Sequence, residues 1–342
     1  MKIITALLLV HISTCLVAQQ NDLVLEKLKG KVKTVANLSN GELTKTITFN
    51  EAGFITASRI FCKGGKIACS EYTVEYDANG NKTVNRGDIF TEYFTYDAKG
   101  NLAETITLTT MKKDTVKYYR YTWNGQSRTS MEQYNYANGK KLLTGKTTYA
   151  YDAAHRLTEE EAYSYYPPNG SDVAYKMPLY SRNTYTYDQS GNLQEKITKD
   201  AKGNKLGWYV YKYDDRNRKI ESSTVYHDGP ERTEAYKYDE KDNVVEIVSA
   251  KGDEEIYREE YTFDKQGNCI KKVHSADQLA NVTTYTYDAS NLQTGEKRTI
   301  KGKPSQDIRY TYDKTGNLVL KKVFDGEGKL THTYQCEIEY YK

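Results

Sequence analysis

Large residues two positions apart, with one residue between them, recur along this chain. They include Val74/Tyr76, Phe94/Tyr96, Tyr149/Tyr151, Tyr185/Tyr187, Tyr236/Tyr238 and Tyr310/Tyr312. The intervening residue is Thr, Lys or Glu in every copy except Ala150. Successive side chains of a strand point to opposite faces, so this period of two predicts strands with one face of rings and one face toward water. An Asp follows the second ring in most copies. Three residues later stands a Gly, or His155, Asn217, Asp242 or Asn291 in its place. A type I turn closed by one left-handed residue needs this chemistry, because Gly, Asn, Asp and His tolerate positive φ best. The stretch 185–193, Tyr-Thr-Tyr-Asp-Gln-Ser-Gly-Asn-Leu, is the clearest copy.

The turn residues from Asn50 to Asp313 are spaced by 20 to 36 residues, which leaves room in each unit for two strands and two turns. The second turns are built from pairs such as Asn40-Gly41, Gly64-Gly65, Gly203-Asn204 and Gly302-Lys303. The expected fold is all-β. It is a long antiparallel meander of about 11–12 hairpin repeats and roughly 22–24 strands, twisted and curled into an open superhelix or partial barrel. End units would cap a stack whose stability is nearly one-dimensional. With Asp188 paired to Asn192, Tyr187 is expected opposite Leu193 and Tyr185 opposite Glu195, with equivalent glutamates at 104, 159, 221 and 246.

Residues 1–18 have the pattern of a secretory signal: Lys2, an apolar run around Ala6–Val10, and Leu16-Val17-Ala18 before Gln19. The run is too short to cross a bilayer, and no later segment has the length of a transmembrane helix. Thr14 is a poor residue to precede a lipidated cysteine, so no anchor is expected at Cys15. Export to the periplasm or beyond is the expected destination. Residues 19–44 form an N-terminal cap segment, with a short turn or helix in 22–30, and 45–342 form the repeat domain. The longest insertion, 164–182, contains Pro167-Pro168 and Pro178 and is expected to protrude or to mark a break.

The units at 185–193 and 310–318, with near copies at 94–102, 149–157, 236–244 and 261–269, resemble the YD repeats of the RHS family. The resemblance covers about residues 45–342. An Asn follows the Gly where that family frequently has Arg, and no toxin domain is recognised. The resemblance implies an antiparallel sheet spiralling into a hollow shell, and a role in encapsulation or adhesion.

Composition narrows the chemistry. Charged residues make up 28% of the chain and mean hydropathy is −0.80, values that suggest disorder in a non-repetitive sequence. The 33 tyrosines change that reading, since each supplies a large ring with a polar tip. The net charge is +3 with Lys and Glu interspersed, so no basic footprint for nucleic acid is present. Cys62 and Cys69 flank Gly64-Gly65 and are the favoured disulfide. Pairing of Cys269 with Cys336 would need Cα atoms within about 7 Å.

Turn aspartates of neighbouring units would lie roughly 9.5 Å apart, at the edge of an inverting glycosidase pair. Side-chain capping explains their recurrence better. The histidines have no metal-ligand spacing, and neither a phosphate loop nor a nucleophile elbow is present. No catalytic residue, cofactor or metal is expected. Tyr165, Tyr166 and Tyr175 in the insertion, and Trp208 beside Gly203-Asn204, are the candidate ligand contacts. The expected function is an exported binding or adhesion module for glycan or protein at the cell envelope. The alternatives are a structural shell component of an RHS-like assembly and, more weakly supported, a glycan-active enzyme.

Overall fold

The computed structural model describes residues 22–137, 140–164, 178–227, 229–276 and 279–342. Twenty-four strands follow one another as an antiparallel meander, each hydrogen-bonded to its neighbours in sequence. The first strand, Val32–Ser39, also pairs antiparallel with the last, Leu330–Tyr340, from Val32 opposite Tyr340 to Ser39 opposite Tyr334. The meander expected to stay open or partly closed is therefore a closed barrel. The physical reason is the pair of edges: an open sheet leaves two rows of unpaired N–H and C=O groups, and closure satisfies both. End units do not act as caps, because the ends are joined.

A barrel of this strand number is too wide for its own side chains to fill. The wall is thus hollow, and buried apolar packing is concentrated in one place. Leu23, Val32, Val35, Ile47 and Phe49 form a cluster with Leu28, Ile55, Ile338 and Tyr340 around it, at the seam where the barrel closes. The short helix Asp22–Leu25 docks there through Leu23. The Asp22 carboxylate accepts the Ile55 N–H at 2.6 Å, and the Leu23 N–H reaches the Gly53 carbonyl at 3.2 Å.

The sheet runs on without interruption across the insertion, since Leu157–Ser164 pairs directly with Leu179–Tyr187. The insertion's own tip lies outside the described residues, as do the signal segment and Cys15. The left-handed positions behave as their residue types require: Gly191 has φ 88°, and His155, Asn217, Asp242 and Asn291 have φ between 59° and 68°.

Register departs from the expectation in one repeated way. Tyr187 does stand opposite Leu193, but Thr186 faces Glu195 and Tyr185 faces Lys196, because a β-bulge intervenes between Thr186 and Tyr187. The extra residue, Gln194, moves every later side chain of that strand to the other face. The same bulge places Glu104, Glu159, Glu221 and Glu246 opposite Thr95, Ala150, Lys212 and Lys237, on the face away from the rings. There they form cross-strand ion pairs such as Lys212–Glu221 at 2.7 Å and Lys237–Glu246 at 2.8 Å.

Candidate functional site: the aromatic girdle and its turns

Each repeat's turn is held by its own aspartate. The Asp188 N–H donates to the Asn192 carbonyl at 2.9 Å, and the Gly191 N–H donates to the Asp188 carbonyl at 3.1 Å. The carboxylate then takes the Asn192 N–H at 2.8 Å and the Asn192 side-chain amide at 3.0 Å. The Asn after the Gly is thus the partner of the Asp. Where Arg stands there, Arg156 and Arg218 bond Asp152 and Asp214 and also lie over the next repeat's ring, 4.7 Å from Tyr187 and 4.6 Å from Tyr238. These bonds favour the ionised form, led by the Asn192 amide at Asp188 and the Arg218 guanidinium at Asp214, so both carboxyls are held below the usual range.

The second ring of each pair has a task that the sequence pattern does not reveal by itself. Tyr187 donates its hydroxyl to the Leu157 carbonyl at 2.8 Å, Tyr213 to Leu193 at 3.0 Å, Tyr238 to Lys219 at 2.6 Å and Tyr287 to Cys269 at 2.8 Å. The same bond is made by Tyr76, Tyr96, Tyr151 and Tyr312, and by the Trp123 indole to Leu102 at 2.7 Å. Every acceptor is the first residue of the preceding repeat's bulge, opposite that repeat's own second ring, as Leu157 is opposite Tyr151. The bulge disrupts the ladder locally, and the next ring supplies a donor there. The result is a girdle of rings around one end of the barrel. Phe49 and Phe263 have no hydroxyl, and Tyr340 donates to the Asp313 carboxylate instead, so the girdle lacks this bond at those copies.

One layer deeper, the first rings meet carboxylates. Tyr185 donates to Glu160 at 3.1 Å, Tyr236 to Glu234 at 2.5 Å, Tyr257 to Glu234 at 2.9 Å and Tyr310 to Glu296 at 3.1 Å. Hydroxyl–carboxylate bonding on the ring face was expected from the sequence, but with different glutamates, because the bulge exchanges which ones share that face. Burial, reinforced by the carboxylate, pushes Tyr257 and Tyr310 up to about 12. Tyr261 donates to Glu259, which also takes Lys272 at 2.7 Å and His274 at 3.1 Å.

Of the four candidate ligand contacts, Trp208 lies among the described residues. Trp208 lies on the face opposite the girdle, across from Ile197 and Val225, and donates its indole N–H to Glu195 at 2.6 Å. Lys205 sits 5.4 Å above its ring. Tyr165, Tyr166 and Tyr175 fall outside the described residues. Cys62 and Cys69 are joined as a disulfide with Cα atoms 5.7 Å apart. Cys269 and Cys336 are free thiols on strands separated around the barrel, so the second pairing is not made. Among the described residues no group of His, Cys, Asp and Glu could hold a metal ion. Nor, among those residues, is any helix long and apolar enough to cross a membrane.

No family model matches this chain, and no curated protein does. Solved structures that align with it include the TcdB2-TccC3-Cdc42 complex, at 17% identity over 86% of this chain with a TM-score of 0.44. This chain spans 17% of that chain's length. A porin-like protein from Bacteroides uniformis aligns at 13% identity over 65% of this chain and 96% of its own, with a TM-score of 0.31. Likenesses at this level carry no argument about function. The resemblance to RHS repeats rests on the residues of the repeat itself. Both faces of the wall carry charge: Lys237, Glu246 and Arg258 on one, Glu234, Glu259 and Lys272 on the other. A lipid-facing barrel needs a continuous apolar band about 25 Å tall on its outer face.

Proposed function

We propose that this protein is an exported, non-catalytic module that binds glycan or protein at the cell envelope, with the closed barrel as its rigid scaffold. The observation that carries the reading is where the polar groups of the wall are engaged. Turn carboxylates such as Asp188 and Asp264 cap their own loops, and the second-ring hydroxyls bond the bulges. These groups hold the wall together, which makes their recurrence structural. A wide closed wall offers two extended faces and two rims for recognition. A shell component of a larger RHS-like assembly is the second reading, favoured by the closure of the sheet on itself.

The test is a thermal-shift and glycan-array screen of residues 19–342 against envelope polysaccharides, repeated with Trp208→Ala and with 165–177 deleted, which leaves the paired strands Leu157–Ser164 and Leu179–Tyr187 whole. A dose-dependent hit lost in either variant, at unchanged stability, supports a binding module and locates its contact. No hit on folded protein, together with crosslinking to neighbours in the native envelope, moves the assignment to the assembly. Release of reducing ends from any polysaccharide of the panel would overturn the non-catalytic reading.

A further inference from the structure

At the end of the barrel opposite the girdle, three successive hairpin loops present apolar side chains to solvent. Ile67 is 72% exposed, Ile89 68%, Phe90 46% and Met111 91%. The three loops are tied into one platform. The Asp88 carboxylate accepts the Glu71 N–H at 3.1 Å, joining the first to the second. The Thr110 N–H donates to the Ile89 carbonyl at 2.8 Å and its hydroxyl to Gly87 at 2.9 Å, joining the second to the third. The Cys62–Cys69 disulfide closes the first loop at its base. Large exposed apolar side chains on neighbouring loops need a partner.

The charges beside them indicate which. Lys66, Lys112 and Lys113 are exposed, and no ion pair among the described residues engages them. Asp88, whose carboxylate takes the Glu71 N–H, and Asp114 are the exposed carboxylates of these loops, so the three lysines outnumber them. The apolar groups stand at separate tips and line no groove. Protruding apolar tips with lysines at their flanks match a bilayer surface, where the tips enter the acyl boundary and the ammonium groups stay at headgroup level.

We propose that the loops carrying Ile67, Ile89, Phe90 and Met111 form a docking surface for an anionic lipid bilayer, with Lys66, Lys112 and Lys113 as its headgroup contacts. The barrel would stand on the membrane by this rim without crossing it.

Co-sedimentation of residues 19–342 with vesicles tests this. The probes are phosphatidylglycerol–phosphatidylethanolamine vesicles and phosphatidylcholine vesicles. The expected result is partition onto the anionic vesicles, weakened by salt. Lys112→Gln with Lys113→Gln should reduce it by about twenty-fivefold, the effect of removing two lysines near an anionic surface. Ile89→Ser with Met111→Ser should abolish binding that survives at high salt, and these exposed positions leave the melting temperature in place. Met111→Trp should show a blue-shifted emission quenched by brominated acyl chains. Equal partition of the wild type and both double variants would overturn the proposal. So would a protein that stays in the supernatant with both vesicle types; association at rising concentration on size exclusion would then assign the loops to a second copy.

Discussion

Around most of the barrel, successive repeats are joined by their backbone ladders and, at the girdle, by hydroxyl–carbonyl contacts from half-buried rings. The seam between Val32–Ser39 and Leu330–Tyr340 is joined differently. There Val32 and Phe49 are essentially inaccessible, and the short helix covers them. Asn317, 1% exposed, donates to the Lys29 carbonyl at 2.8 Å and to the Tyr340 hydroxyl at 2.7 Å, while its own oxygen takes the Lys29 N–H at 2.6 Å. The Tyr341 hydroxyl reaches the Phe49 carbonyl at 2.6 Å. The contrast follows from chain connectivity. Elsewhere a turn holds each strand beside its neighbour, and little further energy is needed. The seam has no covalent link across it and must offset the entropy of joining the two ends of the chain.

Alkali separates the two regions most strongly, because it acts on many rings at once. Burial raises Tyr134, Tyr257 and Tyr310 from 10 to about 12. A raised folded value means that the folded state holds the proton more tightly. The associated stability is fully present below pH 10 and is lost as pH rises toward 12. Hydrogen exchange near pH 11 is therefore expected to open the wall strands before Val32–Ser39, and simultaneous opening would erase the distinction. At neutral pH the order reverses. Phe49→Ala should lower the unfolding free energy in urea by about 3–5 kcal/mol, the range for a buried aromatic.

Asn317→Leu leaves the Lys29 backbone groups without their partner and should cost about 1–3 kcal/mol by the same measurement. The smallest effect belongs to the girdle. Tyr213→Phe removes one hydroxyl–carbonyl bond and should cost about 0.5–1.5 kcal/mol, and Phe263→Tyr, which completes the missing bond, should shift the urea midpoint the opposite way. If Phe263→Tyr destabilises, the bulge carbonyl of Val244 does not need the donor and the girdle is not a repeating bond. If Phe49→Ala costs no more than Tyr213→Phe, the seam is not special.

Much of this architecture was legible in the residues. The alternation of rings and polar residues marks the strands, and the Asp-x-x-Gly spacing marks the turns. His155, Asn217, Asp242 and Asn291 mark the left-handed positions where Gly is missing. The girdle also left a signal that pattern reading passed over. The second ring of each pair carries an N–H or O–H in every copy except Phe49 and Phe263, whereas the first position accepts Ile47, Val74, Phe94 and Ile338. That asymmetry points to a hydrogen bond made by the second ring alone. The bulge left no such mark, since it depends on how the strand leaves the turn. For that reason the predicted Tyr185–Glu195 pair and its equivalents fell on the wrong face.

Local chemistry, then, determined the strands, the turns and their number, because period-two burial and positive φ act within a few residues of the chain. Closure, the seam and the grouping of Ile67, Ile89 and Met111 on one rim were decided only by tertiary structure. They depend on accumulated twist and on hydrogen bonds between residues as far apart as Lys29 and Asn317, which no local pattern encodes.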